Sequence, residues 1–342
     1  MAVKILVTGG TGYIGSHTVV ELQQSGYDVI IVDDLSNSES NVVANIEQIT
    51  GLRPAFEQFD LTDRDKTHDF FMRNPGIGAI IHFAAAKAVG ESVQKPLHYY
   101  RNNLLSLMNL LECQIQYHVP NIVFSSSCTV YGQPEVLPVT EQTPRLEPES
   151  PYGNTKRISE DILRDTIKAN PGLNGIALRY FNPVGAHESA LIGELPRGVP
   201  GNLVPFITQT AAGIREQLSV FGDDYNTPDG SAIRDFIHVV DLARAHVVAI
   251  DRLTGNKNKE PYEVFNLGTG NGVSVLELVH TFRKVTGVDL KYKIVDRRAG
   301  DIEKIWADTT FANEELGWKA EKSIEETLLS AWNWEKNVRG IH

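Results

Sequence analysis

The sequence predicts an α/β fold in which helices flank a doubly wound parallel sheet. The chain begins with an apolar run, a glycine-rich turn and a helical pattern over residues 3–24. Short apolar runs typical of buried parallel strands then alternate with helical spacings as far as residue 267. Small and polar residues follow several of these runs, at the edge where open α/β sheets bind their ligands.

The first turn carries the pattern of a dinucleotide-binding loop. Gly10, Gly12 and Gly15 fit the spacing G-x-G-x-x-G, and Gly9 gives the related spacing G-x-x-G-x-x-G. Glycines let the backbone approach a pyrophosphate, and the N–H groups of the following helix point towards that anion. A structural turn in some other α/β protein is the alternative interpretation. The loop residues that we assign to the cofactor are Gly9, Gly12, Tyr13, Ile14 and Gly15.

The second apolar run, at 28–33, ends in a carboxylate. Asp33 lies 18 residues after Gly15, close to the offset at which an acid binds the ribose hydroxyls of the adenosine. A 2′-phosphate facing Asp33 would be repelled, so the sequence favours NAD over NADP. An aspartate that only caps the next turn is the alternative. Asn37 and Ser38 follow in a polar loop and are assigned to the same ribose.

The third and fourth strands are predicted at 55–59 and 79–83. Three alanines after the fourth strand would let a ligand lie against the backbone, whereas His82 is interpreted as a core histidine. A helix is predicted over 96–118 from its leucine spacing. The cofactor contacts assigned to these segments are Asp60, Leu61, Phe83, Ala84, Ala85, Lys87 and Asn102.

The chemistry is predicted where the fifth strand, 121–127, ends in three serines. Tyr152 follows Ser127 by 25 residues, and Lys156 lies one helical turn further on. A phenol titrates near pH 10, so base chemistry at neutral pH needs a nearby cation that stabilises the phenolate. The tyrosine and the lysine supply such a pair. Ser127, Tyr152 and Lys156 are therefore the predicted catalytic residues.

Composition excludes several classes of function. The net charge of −11 argues against nucleic acid or an anionic membrane as the main partner. Cys113 and Cys128 are the only cysteines and lack metal-ligand spacing, so we expect no disulfide, no bound metal and a reducing compartment. The chain lacks a signal-like apolar block and a run of membrane-spanning length. A cytoplasmic location is expected.

Later segments predict further helices and a strand. A helix is expected at 238–253 and a strand at 263–267. Ser274 with Glu277, and Ser323 with Glu326, have the spacing of capping boxes at the start of two more helices. Trp332 and Trp334 on the last helix are interpreted as packing residues.

Seven motifs together resemble the extended short-chain dehydrogenase/reductase family, and in particular its UDP-hexose 4-epimerases. They span the chain from end to end and are T-G-G-T-G-Y-I-G-S-H (8–17), K-A-V-G-E-S-V-Q-K-P-L (87–97), F-S-S-S-C-T-V-Y-G (124–132), S-P-Y-G-N-T-K (150–156), R-Y-F-N-P-V-G-A-H (179–187), R-D-F-I-H-V-V-D-L-A (234–243) and R-R-A-G-D (297–301). The first and fourth mark the superfamily, and the others point to sugar-nucleotide enzymes.

The resemblance implies two interleaved domains. Residues 1–182 plus about 237–272 would form an NAD-binding Rossmann-type domain. A smaller C-terminal α/β domain, about 183–236 plus 273–342, would bind the UDP-sugar. The resemblance also implies a homodimer formed through the helices near 96–118 and 152–169.

The resemblance further implies epimerisation of UDP-sugars at C4. Tyr152 would take the hydroxyl proton while the hydride passes to NAD, Lys156 would lower the pKa of Tyr152 and hold the nicotinamide ribose, and Ser127 would bind the reacting oxygen. The 4-keto sugar would turn over in the pocket and take the hydride back on its other face. Tyr180 and Phe181 would pack near the nicotinamide. The implied substrate contacts are Ser127, Cys128, Thr129, Tyr152, Asn182, Asn202, Leu203, Val220, Phe221, Arg234, Arg298, Asp301 and Ile305.

Two departures from the family pattern and two rival functions bear on this interpretation. Ile305 stands at the position that limits the size of the sugar, where it is intermediate in bulk, and Gly201 stands where asparagine is usual. A nucleotide-sugar dehydratase needs an acid pair after its strand-end threonine, but no carboxylate follows in Ser127-Cys128-Thr129. A noncatalytic NAD-sensing protein would not need Tyr152 and Lys156. Another nucleotide-sugar epimerase remains as an alternative.

Overall fold

The structure is a computed structural model that describes residues 2–297 and 302–341. Its strands, numbered in chain order, are β1 Lys4–Thr8, β2 Asp28–Asp33, β3 Ala55–Gln58, β4 Ile77–His82, β5 Asn121–Ser127, β6 Asn174–Tyr180, β7 Asn182–Val184, β8 Leu218–Phe221, β9 Ile233–Arg234, β10 Phe236–His238, β11 Tyr262–Leu267, β12 Val273–Ser274, β13 Tyr292–Val295 and β14 Lys304–Ile305.

The α-helices are α1 Tyr13–Gln24, α2 Asn41–Thr50, α3 Arg64–Arg73, α4 Val89–Gln94, α5 Pro96–Gln116, α6 Pro151–Ala169, α7 Leu203–Ala211, α8 Val239–Thr254, α9 Val275–Thr286 and α10 Ile324–Arg339. A single 3-10 turn, Cys128–Tyr131, continues directly from β5, and a short π-type turn spans Ala312–Leu316. Among the described residues, no helix is long and apolar enough to cross a membrane.

The central sheet has seven strands in the order β3-β2-β1-β4-β5-β6-β11, and all the neighbouring strands are parallel. The chain winds from β1 outward to β3 and then returns to β4 on the other side of β1. This reversal opens a crevice at the carboxyl ends of β1 and β4, where doubly wound sheets bind their ligands. The predicted fold class is confirmed.

Both faces of the sheet are covered, which explains why its strands read as continuous apolar runs. On one face, Ile5, Val7 and Ile31 pack in a core shared with α1 and α8. On the other face, Leu6 and Ile80 pack against α3, α5 and α6. Alternate residues of β1 therefore point into different cores.

A third core lies away from the central sheet. It is formed by side chains of α7, β8, α9 and α10, among them Val220, Phe282 and Trp332. Around it lie small sheets that pair β7 with β10, β8 with β13, and β9 with both β12 and β14. This separate core supports the two-domain division expected above, whose boundaries stay a proposal.

The helix start signals in the sequence operate as predicted. The side chains of Ser274 and Ser323 each accept a hydrogen bond from the backbone N–H of the residue three positions later. The carboxylates of those later residues, Glu277 and Glu326, accept in turn from the backbone N–H of the serine. The helix predicted at 238–253 runs one residue later at both ends, and His238 caps it by accepting from Val240 N. Helices α2 and α3 were not singled out by the sequence analysis.

Candidate active site

The glycine loop between β1 and α1 is too tightly packed for side chains. Gly9 has a φ of +72°, and a Cβ on it would lie 2.8 Å from Ala84 N. A Cβ on Gly15 would lie 2.1 Å from Gly9 O, so helix α1 presses directly on the turn. The cap residue of α1 is Gly12, so no side chain caps the N–H groups at the start of the helix, and no acidic residue occupies the first helical turn. This geometry suits a pyrophosphate.

Asp33 ends β2 beside this loop and is held in place by several donors. Its carboxylate accepts hydrogen bonds from Thr11 N at 3.2 Å, Leu35 N at 2.9 Å and the Ser38 hydroxyl at 3.2 Å. Thr11 and Ser38 also bond each other through their hydroxyls, at 2.6 Å. The predicted ribose-binding acid thus stands next to the glycine loop, together with Ser38, whereas Asn37 is an exposed residue of the same loop.

The small residues after β4 are fixed by an asparagine that the sequence analysis missed. Asn103 of α5 accepts from Ala86 N at 2.8 Å and donates to Ala86 O at 3.0 Å and to the Thr155 hydroxyl at 3.0 Å. The predicted cofactor residue beside it, Asn102, donates to Asn103 Oδ1 at 3.1 Å. Asn103 therefore ties the alanine run to α6, and its burial among leucines of α5 was the only signal for it in the sequence.

The remaining predicted cofactor residues differ in exposure. Asp60 is exposed and accepts from Thr62 N at 2.8 Å, whereas the Leu61 side chain is buried in the core next to α3. Phe83 lies at the end of β4, with its ring centroid 4.7 Å from that of His246. Ile14 packs partly buried against the core on α1. The Tyr13 hydroxyl donates to Gly185 O at 2.7 Å.

His82 is a core histidine, as the sequence predicted. Its side chain is buried, and its Nδ1 lies 2.8 Å from the Thr8 hydroxyl. Burial lowers its pKa to about 3, with a smaller contribution from the charge of Lys156. The imidazole is therefore neutral at physiological pH.

Ser127, Tyr152 and Lys156 are brought together where β5 meets the start of α6. Helix α6 is capped by Ser150, which accepts from Gly153 N at 3.2 Å, so its first turn carries Tyr152. A Cβ on Gly153 would lie 3.2 Å from Thr129 Cβ, so the glycine lets the start of α6 pack closely against the turn after β5. Ser127 Oγ accepts from Thr129 N at 3.2 Å and from the Thr129 hydroxyl at 3.0 Å.

Lys156 is buried and points at the strand. Its Nζ donates to Ser125 O at 2.6 Å, and it lies 4.9 Å from the ring centroid of Phe124 and 5.9 Å from that of Tyr152. Only 4% of the residue is exposed. The ammonium is thus fixed beside the phenol by one backbone acceptor.

Burial dominates the ionisation of this pair. It raises the pKa of Tyr152 to about 12, helped by Cys128 and opposed by the Ser127 hydroxyl. Burial also lowers the pKa of Lys156 to about 7, opposed by Glu160. The expected lowering of the Tyr152 pKa by Lys156 is not found in the chain alone, because both groups are desolvated. It stays a prediction for the enzyme with its cofactor.

A buried ion-pair network that sequence reasoning missed lies directly behind Lys156. Arg179 of β6 donates to both oxygens of Glu160, at 2.8 and 2.6 Å, and the Ser126 hydroxyl donates to the same carboxylate at 2.5 Å. Arg179 also donates to the Tyr131 hydroxyl at 2.9 Å. An arginine inside an apolar strand, and an acid one turn after the lysine, were the available signals for it.

On the substrate side, two predicted residues lie opposite each other in adjacent strands. Arg234 of β9 pairs in register with Ile305 of β14. The Ile305 side chain is 2% exposed and packs in a small core with Tyr131, Val139 and Phe181, against which Cys128 also packs. The proposed size-limiting residue is therefore part of a wall rather than a free side chain.

Asp235, which follows Arg234, holds this region together and was also missed. Its buried carboxylate accepts from Thr269 N and from the Thr269 hydroxyl, both at 2.8 Å, and from Gly270 N and Ala307 N, both at 3.2 Å. Its own carbonyl accepts from Asn182 N at 3.0 Å. Asp235 thus joins the end of β9 to residues 269–270 and 307 through its carboxylate, and to Asn182 through its carbonyl.

The residues predicted to bind the uracil and the diphosphate differ in how accessible they are to a ligand. Phe221 is 43% exposed, but the Val220 side chain is only 1% exposed in the third core, so only its main chain is available to a ligand. Asn202 donates to Glu194 Oε1 at 2.6 Å, and Lys87 forms an ion pair with the same oxygen at 3.2 Å. Leu203 begins α7. Arg298 and Asp301 lie outside the described residues.

Tyr180 ends β6 and Phe181 follows it, and both are buried, with Tyr180 joined to the Ser125 hydroxyl by a hydrogen bond. Together, the described residues place the glycine turn, the Asp33 carboxylate and the pair of Tyr152 and Lys156 along one edge of the sheet. The tight glycine cradle and the fixed Asp33 carboxylate fit a bound dinucleotide. Such a site can remove a proton from an alcohol beside a hydride acceptor.

Comparison with known proteins agrees with this chemistry. The profile of the NAD dependent epimerase/dehydratase family matches residues 5–268. The UDP-glucose 4-epimerase of Haemophilus influenzae is 50% identical over 333 residues, which are 97% of either chain. That of Bacillus subtilis is 50% identical over 337 residues, 98% of either chain.

A solved structure extends the similarity to the whole fold. The crystal structure of UDP-glucose 4-epimerase from Bifidobacterium longum in complex with NAD+ and UDP has a TM-score of 0.94 and 47% sequence identity to this protein. The match covers 99% of this chain and 100% of that one. The resemblance drawn from the sequence motifs is thereby confirmed, and the chain belongs to the NAD dependent epimerase/dehydratase family.

Proposed function

We propose that this protein is an enzyme that interconverts UDP-galactose and UDP-glucose by epimerisation at C4, with NAD as a retained cofactor. The observation that carries the proposal is the pair formed by half-buried Tyr152 and buried Lys156 beside Ser127, at the sheet edge that also holds the glycine loop. Relatives of this chain with about half of its residues identical are UDP-glucose 4-epimerases over nearly their whole length. The role in the cell would be galactose metabolism.

Each catalytic residue has a task that its surroundings support. Tyr152 removes the proton of the sugar 4-hydroxyl and later returns it, with Ser127 binding the same oxygen. Lys156 stabilises the phenolate and holds the nicotinamide ribose. NAD, when bound, supplies the acceptor for the C4 hydride, and its positive charge offsets the burial that raises the pKa of Tyr152 in the chain alone.

In this proposal, different residues hold the cofactor and the substrate. The glycine loop binds the pyrophosphate of NAD, and Asp33 binds its adenosine ribose. Arg234 neutralises the UDP diphosphate, with Asn182 and Asn202 beside it and Phe221 at the uracil. The same reasoning assigns Arg298 to the diphosphate and Asp301 to the uridine ribose.

The purified protein tests this proposal without added cofactor. Incubated with UDP-galactose and no NAD, it is expected to yield UDP-glucose, visible by the proton NMR signals of the sugar. NADH must not accumulate, because each hydride removed is returned. A protein that forms one NADH for each UDP-galactose consumed, or that releases a keto sugar, would be a dehydrogenase or a dehydratase instead.

Substrate range is predicted from Ile305. Because it is packed in the wall with Val139 and Phe181, we expect UDP-glucose and UDP-galactose to be the main pair, with slower turnover of the N-acetylated sugars. Ile305→Ala would remove three carbon atoms from that wall and should raise kcat/KM for UDP-GalNAc relative to UDP-galactose by about tenfold, the lower end of the range of roughly 10–200-fold that a single methylene group produces in an apolar pocket. Equal efficiency of the unaltered protein on both pairs would refute the ranking.

We also propose a cytoplasmic homodimer. Helix α5 packs on α6, and both Leu97 and Met108 of α5 are exposed, at 78% and 42%. A second copy would cover these side chains. Leu97→Glu together with Met108→Glu should convert a dimer to a monomer in analytical ultracentrifugation, whereas Leu52→Glu, at an exposed site far from α5, should not. A monomeric unaltered protein would refute this part of the proposal.

A further inference from the structure

The carboxylate of Glu160 is the centre of a buried hydrogen-bonded cluster on helix α6. Only 1% of the residue is exposed, and both of its oxygens accept from Arg179. The Ser126 hydroxyl donates to Oε1 at 2.5 Å, and Arg145 donates to Oε2 at 3.3 Å. A buried carboxylate costs free energy unless it is paired in this way.

Glu160 and Lys156 are neighbours on one face of α6, and both are anchored to the end of β5. Lys156 bonds the carbonyl of Ser125, and Glu160 bonds the hydroxyl of the next residue, Ser126. The third serine of the run, Ser127, belongs to the catalytic centre. One strand end therefore sets the positions of the lysine and of the catalytic hydroxyl together.

Glu160 also affects the ionisation of Lys156 through its charge. The titratable groups that face the ammonium are Tyr152 and Glu160 on α6 and His82 on β4. Tyr180 on β6 bonds the hydroxyl of Ser125, the residue whose carbonyl accepts from the ammonium. His82 is neutral, and burial raises the pKa of both tyrosines. Glu160 is the carboxylate that opposes the burial of Lys156, while its partners Arg179 and Arg145 carry the opposite charge.

We propose that Glu160 is a positioning residue that acts on catalysis through Lys156: with Ser126 and Arg179 it fixes the lysine against β5, and its negative charge favours the ammonium form of Lys156 beside Tyr152. The effect on turnover rests on the proposed function above. The effect on the ionisation of Lys156 does not, because it follows from the chain's own charges.

Two substitutions with opposite expected signs separate this proposal from a merely structural role. Glu160→Gln removes the negative charge and should move the alkaline limb of the turnover-against-pH profile about 1 pH unit lower. At pH values above that limb, turnover should then be approximately tenfold lower than in the unaltered protein. Arg179→Gln leaves Glu160 held by Ser126 and Arg145 and should move the limb higher. Ser126→Ala changes no charge and should leave the limb in place while lowering thermal stability.

A stability measurement gives a second readout that needs no turnover. Because the pKa of Lys156 is lowered from 10.5 to about 7, the unfolded chain binds the extra proton between those values. This group therefore makes the free energy of unfolding rise with pH from about 7 to 10.5. The lower edge of that rise should move down in Glu160→Gln and up in Arg179→Gln, and the rise should vanish when Lys156→Met is added.

The outcomes are distinct. Opposite shifts in both measurements support the proposal. Shifts of the same sign in Glu160→Gln and Arg179→Gln would overturn it and leave Glu160 as a packing residue. An equal loss of turnover at every pH in all three variants would do the same. If Glu160→Gln does not fold, Arg179→Gln decides alone, since a limb that stays or moves lower contradicts the proposal. If no variant or unaltered protein converts UDP-galactose, the proposed function fails while the stability measurement still tests Glu160.

Discussion

Replacing Tyr152 by phenylalanine should lower the turnover of UDP-galactose by about 10³-fold, within the range that a positioned general acid–base contributes. The substitution removes one oxygen from a half-buried ring and leaves α6 capped by Ser150, so the fold is retained. The other phenols near the end of β5 already have partners, since the Tyr180 hydroxyl bonds the Ser125 hydroxyl and the Tyr131 hydroxyl bonds Asn266 and Arg179. We expect kcat and kcat/KM to fall together, because the lost interaction acts mainly in the transition state.

The matched control is Tyr292→Phe, on β13 away from the sheet edge, which should leave turnover unchanged. Cofactor content is measured on both variants by denaturing the protein and quantifying the released NAD. It should equal that of the unaltered protein. A Tyr152→Phe protein that keeps full activity would remove the phenol from the mechanism.

Gly15→Ala should give the second large effect, the loss of bound NAD. The new Cβ would lie 2.1 Å from Gly9 O and 2.8 Å from Gly10 Cα, and both are backbone atoms that cannot rotate away. Either α1 or the phosphate-binding turn must move, at a cost of about 2–3 kcal/mol or more by comparison with overpacked cores. We expect most of the cofactor to be absent after purification and the melting temperature to fall by several degrees.

Gly201→Ala is the control for this prediction, because a Cβ there meets nothing within 4 Å and the residue needs no positive φ. It should retain its NAD and melt as the unaltered protein does. If Gly15→Ala retained stoichiometric NAD, the turn would not be the pyrophosphate site.

Local signals in the sequence predicted the elements that depend on local chemistry. β2 and β5 occur at their predicted bounds, and the capping boxes at Ser274 and Ser323 begin their helices. Asp33 stands beside the glycine loop because strand, turn and helix are one contiguous unit. For the same reason, the spacing of Tyr152 and Lys156 was sufficient to place them on one face of α6.

What the sequence could not predict depends on pairing across long separations. Glu160 meets Arg179 and Ser126 only because β5 and β6 are adjacent and α6 packs over them. Asp235 likewise collects donors more than thirty residues away, at Thr269 and Ala307. The inward direction of Val220 depends on the register of β8, and a shift of one residue would exchange it with Phe221.

In the proposed reaction, the nicotinamide of a retained NAD would take a hydride from C4 of the sugar and give the same hydride back. Conversion of UDP-galactose in deuterium oxide, followed by proton NMR of the product, distinguishes this route from deprotonation of the carbon. UDP-glucose is expected to keep a full proton at C4, because the hydride never exchanges with solvent. Deuterium at C4 would show that the carbon is deprotonated instead and would rule out hydride transfer to NAD.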